Sequence, residues 1–410
     1  MKRYVIVGNG VAAVGCIEGI RSADAAGEIT VVSLENHPVY SRPLISYYLE
    51  GKTDQERMRY RDADFYDRMG AGVLYGRRAV AIHPEEKTLA LDDGTVLPYD
   101  ALCLATGSTP FVPKFEGLDS VENKHSFMTL DDALALDQAI APDSRVLIVG
   151  AGLIGLKCAE GLRDRVAEIT VCDLADRVLS SILDTDCAAL MQAHLEQHGI
   201  RFLLGQSVAR FDGNLAEMTG GSTVPFDVLV LAVGVRANTA LLKDAGGNVN
   251  RGMVVDAYMQ TSLENIYAAG DCAEGDDASS GQKRVLAILP NAYLQGHTAG
   301  VNMAGGAEIF DKGIPMNSVG FFGYHAMTAG TYEGELYEER TEDSIKRLYV
   351  SGDLLKGILL IGREERAGIY TALIREKTSL STVNFELLRK AATTAAFSSE
   401  QRRKTFGGVV

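Results

Sequence analysis

Two glycine turns in this chain could do chemistry. Gly8-Asn9-Gly10-Val11-Ala12-Ala13 follows Tyr4-Val5-Ile6-Val7, and Gly150-Ala151-Gly152-Leu153-Ile154-Gly155 follows Val146-Leu147-Ile148-Val149. Each is an apolar β-branched run, a glycine turn and the small-residue start of a helix. Without Cβ atoms, such a turn lets backbone N–H groups at a helix N-terminus approach a pyrophosphate. The second turn carries all three fingerprint glycines. In the first, Ala13 takes the third position, where a small residue lets helix pack on strand. Each turn is followed by an apolar stretch that ends in an acid, Ile29 to Glu35 and Ile169 to Asp173, at the separation expected of a ribose acceptor. One such turn alone describes any tight strand-to-helix connection. Two, each with its acidic partner, predict two dinucleotide sites.

The acids also bear on which dinucleotide binds. Glu35 can accept hydrogen bonds from a ribose. Asp173 would accept from the 2′-hydroxyl of NADH and repel the 2′-phosphate of NADPH, while Arg177, four residues on, opposes that preference.

The elements that must hold these turns form one plan used twice. Residues 4–16 and 146–158 are an internal repeat, and each copy later reaches an apolar strand that breaks at glycine, Leu102 to Gly107 and Val228 to Gly234. Short strands around turns such as Asp93-Gly94 predict a small β-meander over 77–98. Pro110, Pro113 and Gly117 mark a linker. After 316 the fingerprints stop, and Lys346–Val350 and Gly357–Gly362 read as two strands around Ser351-Gly352-Asp353, followed by helices.

Bulk properties narrow the classes. At 410 residues, two or three domains are expected, and a net charge of −14 argues against nucleic acid and anionic lipid as partners. No run approaches the roughly 18 apolar residues of a membrane span, and the N-terminus leads straight into a strand, so a cytoplasmic protein is expected. The six cysteines are scattered without Cys-x-x-Cys and read as buried thiols in a reducing compartment. The seven histidines have no metal-ligand spacing, and no metal is expected. Arg57, Arg59, Arg61, Arg77 and Arg78 form a basic cluster. It reads as a solvated surface among Asp62, Asp64 and Asp67, with a docking face for an acidic electron carrier as the alternative. Residues 401–410 read as a frayed tail.

Over essentially its whole length the chain resembles the pyridine-nucleotide-disulfide oxidoreductase superfamily. Within it, the resemblance is to the branch of NADH:rubredoxin reductases, oxygenase-type ferredoxin reductases and the N-terminal part of assimilatory nitrite reductase. Pro38 to Ser46 is similar to the flavin-side segment, Ala105 to Pro110 to the domain-crossing motif, and Asn265 to Ala273 to the second FAD motif. Gln295-Gly296 and Asn302 to Gly306 match the helix that follows.

The resemblance implies an α/β fold of two Rossmann-like dinucleotide-binding domains, glutathione-reductase-like, plus a C-terminal αβ domain. The FAD-binding domain would occupy 1–112 and 241–315, the NADH-binding domain 113–240, and an interface-type domain 316–410. FAD would lie on Gly8, Asn9, Gly10, Val11, Ala12 and Glu35. Arg42 and Pro43 would sit near the isoalloxazine, and Val80 would touch the adenine side through its backbone. Ala105, Thr106 and Gly107 would belong to the same site, and Asp271 would bind the ribityl chain or a nearby phosphate. NAD(H) would lie on Gly150, Gly152, Leu153, Ile154, Asp173 and Gly234. Glu160, pointing toward the nicotinamide–flavin contact, and Arg42 are the catalytic candidates. The implied partners are NADH and a small redox protein or iron–sulfur subunit, and the resemblance also allows a homodimer.

Two departures from the relatives matter. Members that reduce disulfides or peroxides carry a cysteine in the segment aligned with 41–47, which here reads Ser41-Arg42-Pro43-Leu44-Ile45-Ser46-Tyr47. Several relatives place a lysine after that serine, paired with the equivalent of Glu160, and this chain has Tyr47. With no sulfur there, electrons are expected to leave the reduced flavin directly, singly to a redox protein or to a small acceptor such as dioxygen. The leading expectation is an FAD-dependent NADH oxidoreductase serving rubredoxin, ferredoxin or an iron–sulfur subunit. An NADH oxidase and a non-enzymatic redox sensor or assembly protein are the alternatives.

Overall fold

The computed structural model describes residues 1–363 and 366–405. The chain forms two compact units. The first comprises Met1–Ser181, Leu195–Asp276 and Lys283–Asp311; the second takes in Ile182–His194, Asp277–Gln282 and the chain from Lys312 on.

The first unit holds two five-stranded sheets built to one plan. One runs Ile266–Ala268, Ala101–Leu104, Arg3–Val7, Glu28–Val32, Ala71–Leu74; the other runs Lys124–His125, Val228–Leu231, Arg145–Val149, Glu168–Asp173, Ile200–Leu204. Every pairing in both is parallel. The central strands are apolar because both faces are covered: Val5, Ile6, Leu147 and Ile148 are all buried. Register repeats as well, with Arg3 opposite Glu28 and Arg145 opposite Glu168. At each strand start an arginine closes a two-pronged pair, Arg3 on Asp100 and Arg145 on Asp227, both at 2.9 Å. The same arginines' backbone N–H groups donate to those carboxylates as well. Helix Val11–Ala23 packs on helix Leu289–Met303 so closely that a Cβ on Gly296 would stand 1.9 Å from the carbonyl oxygen of Ala12.

Ala79–His83, Thr88–Leu91 and Val96–Pro98 form the antiparallel meander expected in the first domain. A matching one, Val208–Asp212, Leu215–Met218 and Thr223–Pro225, sits in the second and extends the internal repeat. The second strand of the first domain ends at Val32, three residues before Glu35, whereas Glu168–Asp173 includes its acid. Beyond Val32 the chain turns, with Ser33 Oγ donating to the carbonyl of Glu35 at 2.7 Å.

The second unit is a five-stranded antiparallel sheet, ordered Met316–Phe321, Tyr324–Gly330, Leu354–Ile361, Ile345–Ser351, Glu335–Arg340. Helix Gly368–Arg375 supplies Tyr370 and Leu373 to a core with Leu348, Ile358 and Leu360. The unit runs from Lys312 on and takes in residues 182–194, whose Asp184 and Asp186 hold the Arg347 guanidinium together with Glu338. The expected frayed tail is different too: Ser399–Thr405 is helical. Ser398 and Gln401 exchange side-chain-to-backbone hydrogen bonds of 3.0 and 3.2 Å, a reciprocal cap at its start. Residues 406–410 lie outside the described residues. No helix among the described residues is long and apolar enough to cross a membrane.

Candidate functional site

Both glycine turns fold alike. Gly8 has φ of +110° and a Cβ there would stand 2.1 Å from the carbonyl oxygen of Ala105; Gly150 has φ of +120° and a Cβ would stand 2.2 Å from that of Ala232. Each therefore admits only glycine, since the left-handed backbone and the close approach both exclude a side chain. Gly8 N–H donates to Val32 and Gly150 N–H to Cys172, which makes Ser33 the positional counterpart of Asp173. Gly10 and Gly152 are the N-caps of helices Val11–Ala23 and Leu153–Leu162, and a Cβ on either would meet nothing within 4 Å. The first glycine of each turn is thus locked into the protein, and the second leaves the helix N-terminus open to an anion. Val11 and Ala12, and Leu153 and Ile154, begin the two helices. This cradle fits a dinucleotide pyrophosphate twice over.

The two cradles are joined by a crossing ribbon. Ser108–Pro110 pairs antiparallel with Val235–Ala237, immediately after Ala105-Thr106-Gly107 and Gly234. Asn238 clasps the crossing: its N–H donates to Gly107 at 2.9 Å, its amide to Thr106 at 2.8 Å, and Thr106 Oγ1 returns a bond to its carbonyl at 2.8 Å. Gly234, with φ of +113°, accepts the N–H of Phe111. Ser108 Oγ donates to Asp271 at 3.4 Å. Burial pushes the Asp271 carboxyl above the usual carboxylate range, opposed by the Ser108 hydrogen bond and the nearby Arg42 charge. Asp271 follows Gly270, whose N–H donates to the buried Gln295 at 2.8 Å. Asp271, Arg42 and the first turn thus belong to one region of the first unit.

The sequence profile described as pyridine nucleotide-disulphide oxidoreductase matches residues 2–296, which span both cradles and the crossing. The chain belongs to the pyridine nucleotide-disulphide oxidoreductase family. Similar proteins include the NADH-dependent phenylglyoxylate dehydrogenase subunit epsilon of Aromatoleum evansii, 33% identical over 92% of this chain and 93% of that protein. The assimilatory nitrate reductase electron transfer subunit of Bacillus subtilis (strain 168) is 30% identical over 92% of this chain, which spans 50% of its length. Among solved structures, the covalent putidaredoxin reductase–putidaredoxin complex superposes with a TM-score of 0.88 at 25% identity, covering 96% of this chain and 99% of that one.

Members of the pyridine nucleotide-disulphide oxidoreductase family use FAD and NAD(H), and the two cradles fit that pair. Asp173 Oδ2 accepts the N–H of Ala151 at 2.7 Å and Oδ1 that of Ala175 at 2.8 Å. Arg177 reaches the neighbouring Asp176 at 2.8 Å. Glu35 lies beyond the end of its strand. It lies two residues past the counterpart of Asp173, and its carboxylate accepts from Tyr40 OH at 2.6 Å and from the Arg42 guanidinium. Arg42 also donates to the carbonyl of Met128 at 3.2 Å. Pro43 is exposed at the start of the turn Arg42–Leu44, and Val80 lies on the meander with half its surface open. Asn9 accepts from Tyr66 OH at 2.6 Å and donates to His37 O at 3.3 Å, which braces the first turn.

Glu160 is buried and pairs with Lys157 at 2.5 Å, a partner the sequence reading did not anticipate, although the three-residue spacing on one helix was legible. Tyr40, Tyr66 and Asn238 were missed as well. Tyr40 lies inside the flavin-side segment 38–46 and Asn238 four residues past the strand break at Gly234; Tyr66 has no signal of its own. All six cysteines are buried. The Cys103 thiol is pushed up by a hydrogen bond with Cys16 and by burial, and Cys158, Cys187 and Cys272 are pushed up chiefly by burial. Burial also raises Cys172 to about 12. The basic cluster is largely neutralised: Arg57 pairs with Asp54, Arg61 with Glu18 and Arg77 with Asp93.

Proposed function

We propose that this chain is an FAD-dependent NADH oxidoreductase that passes electrons to a redox protein or an iron–sulfur subunit. The observation that carries the reading is the pair of matched cradles joined by one clasped crossing, with Asp271 hydrogen-bonded to that crossing. Bound flavin supplies the chemistry, accepting a hydride from NADH and releasing electrons singly. The chain's own residues supply place and polarity. The turns at Gly8 and Gly150 present helix N-termini to the two pyrophosphates, Asp173 takes the ribose of NADH, Asp271 takes the flavin's polyol or phosphate, and Arg42 lies on the ring side. No side chain has to move a proton from substrate carbon.

The buried thiols support direct release, since a sulfur relay needs an accessible thiolate and these six are closed in and, where shifted, hard to ionise. The near full-length match to a subunit of an NADH-dependent dehydrogenase, and the fold shared with a reductase captured on its redox partner, support a protein acceptor. The test is NADH-dependent reduction of ferricyanide and of a small iron–sulfur protein by the purified chain. Steady turnover with these acceptors, faster than with dioxygen, is expected. Dioxygen consumption that matches or exceeds dye reduction would make the protein an oxidase instead, and absence of turnover would make it a sensor.

A further inference from the structure

The flavin-side helix Ile45–Leu49 and the second cradle's helix Leu153–Leu162 touch at close range. A Cβ on Gly161 would stand 2.9 Å from the carbonyl oxygen of Ser46 and 3.1 Å from the Leu49 Cβ, so the two helices meet with almost no side chain between them. One turn earlier, Lys157 holds Glu160, whose side chain is 8% exposed. The Lys157 ammonium also stands 5.4 Å from the centre of the Tyr47 ring, within cation–π range. Lys52, paired with Glu50, stands 5.9 Å from the same ring. The result is an alternating row: Glu50, Lys52, Tyr47, Lys157, Glu160. A third tie lies beyond it, where Arg165 donates to the carbonyl of Leu49 at 3.0 Å and to Asp137 at 2.6 Å.

These contacts join the helix that starts at the second cradle to the helix that continues the flavin-side segment. One starts at Gly152, where the second pyrophosphate is cradled; the other continues directly from Arg42–Leu44. A buried carboxylate must keep its cation, and a cation close to an aromatic ring is held against sideways drift. Lys157 is therefore fixed twice, by the acid of its own helix and by the ring of its neighbour.

We propose that Tyr47 and Lys157 are positioning residues that set the spacing between the two dinucleotides for hydride transfer. The inference rests on the reading that NADH reduces bound FAD. In that step the hydrogen and its electron pair leave nicotinamide C4 for flavin N5; NADH becomes NAD+ and the flavin gains both electrons. The reacting atoms must come within about 3–3.5 Å, and a displacement of about 1 Å costs up to about a hundredfold in rate. Neither residue belongs to a glycine turn, so the effect falls on the transfer rate and not on the affinity for either dinucleotide.

The experiment is anaerobic stopped-flow bleaching of the flavin by saturating NADH. Tyr47→Leu slows bleaching about tenfold, with FAD content and the NADH dissociation constant unchanged, and Tyr47→Phe, which keeps the ring, restores the rate. Lys157→Met slows it similarly and Lys157→Arg restores it. The double variant Tyr47→Leu/Lys157→Met is no slower than the slower single, because both act through one contact. NADH deuterated at the transferred position gives a larger isotope effect in Tyr47→Leu than in the wild type. If Lys157→Met does not fold, the Tyr47 pair decides alone. Wild-type bleaching in Tyr47→Leu overturns the inference, as does a Tyr47→Phe variant as slow as Tyr47→Leu, or slowing traced to lost FAD or weakened NADH binding. A wild-type flavin that NADH does not bleach overturns the functional reading itself, and this inference with it.

Discussion

Asp173 accepts the backbone N–H of Ala151 at 2.7 Å, so the acid that ends the second domain's strand is tied into the floor of its own glycine turn. That tie holds the carboxylate beside the cradle, where a 2′-hydroxyl would be welcomed and a 2′-phosphate repelled. NADH is expected to show a kcat/KM at least about tenfold above that of NADPH, the scale of one charged hydrogen bond. Asp173→Ala should narrow the ratio. Arg177→Ala should leave it in place, because Arg177 is engaged by Asp176. A wild-type preference for NADPH in steady-state kinetics would refute the assignment.

The two glycines of the first turn should fail in different ways. Gly8→Ala forces a methyl onto Ala105 at positive φ and should cost about 3 kcal/mol or more of stability. Gly10→Val points into space free of protein atoms, so the apoprotein should melt normally yet purify colourless. Gly152→Val should stay yellow while its KM for NADH rises. Flavin absorbance and circular-dichroism melts of the three variants check this, and a yellow Gly10→Val protein would mean that the pyrophosphate does not lie on that turn.

Replacing all six cysteines with serine or alanine should leave NADH-dependent dye reduction in place, since no exposed thiol stands on the proposed electron path. The control is a folded, flavin-loaded variant by absorbance and circular dichroism. Lost turnover in such a protein would mean that a buried sulfur takes part.

The repeated strand-start pairs predict an acid limb to stability. Hydrogen bonds from Arg3 and from Arg145, first among the causes, hold the Asp100 and Asp227 carboxyls down to about 2. A carboxyl lowered in the folded state stabilises above its unfolded value near 4, and that contribution is lost as pH falls through the folded value. Both pairs are partly exposed, so each is worth roughly 1 kcal/mol at most. Asp227→Asn should lower Tm at pH 7, and the difference from wild type should shrink between pH 4 and pH 2. A gap that persists at pH 2 would assign the effect to packing instead.

The sequence exposed the two cradles because glycine at a jammed turn and β-branched strands leave marks in composition. It hid what depends on register or on distant partners. Glu35 looked like the counterpart of Asp173 by spacing, but pairing puts Ser33 there and turns Glu35 toward Tyr40 and Arg42. Residues 182–194 join the second unit through Arg347, a contact with no local pattern. The second meander and the Ser398–Gln401 cap were legible: an Asp212-Gly213 turn between alternating runs marks the first, and a serine three residues before a glutamine marks the second. Tyr47 reads in the sequence only as a missing lysine. Its role as the ring against Lys157 depends on how two helices cross, which no spacing states.

The central claim is that both dinucleotides meet on this one chain and that electrons then leave without sulfur. Anaerobic addition of one equivalent of NADH to the purified yellow protein tests it most directly, followed by an oxidised small iron–sulfur protein. Full bleaching of the flavin absorbance by NADH, then its return as the iron–sulfur protein is reduced with two single-electron equivalents per flavin, is the predicted result. A flavin that NADH leaves oxidised, or one that bleaches but returns only after a disulfide is supplied, would contradict it.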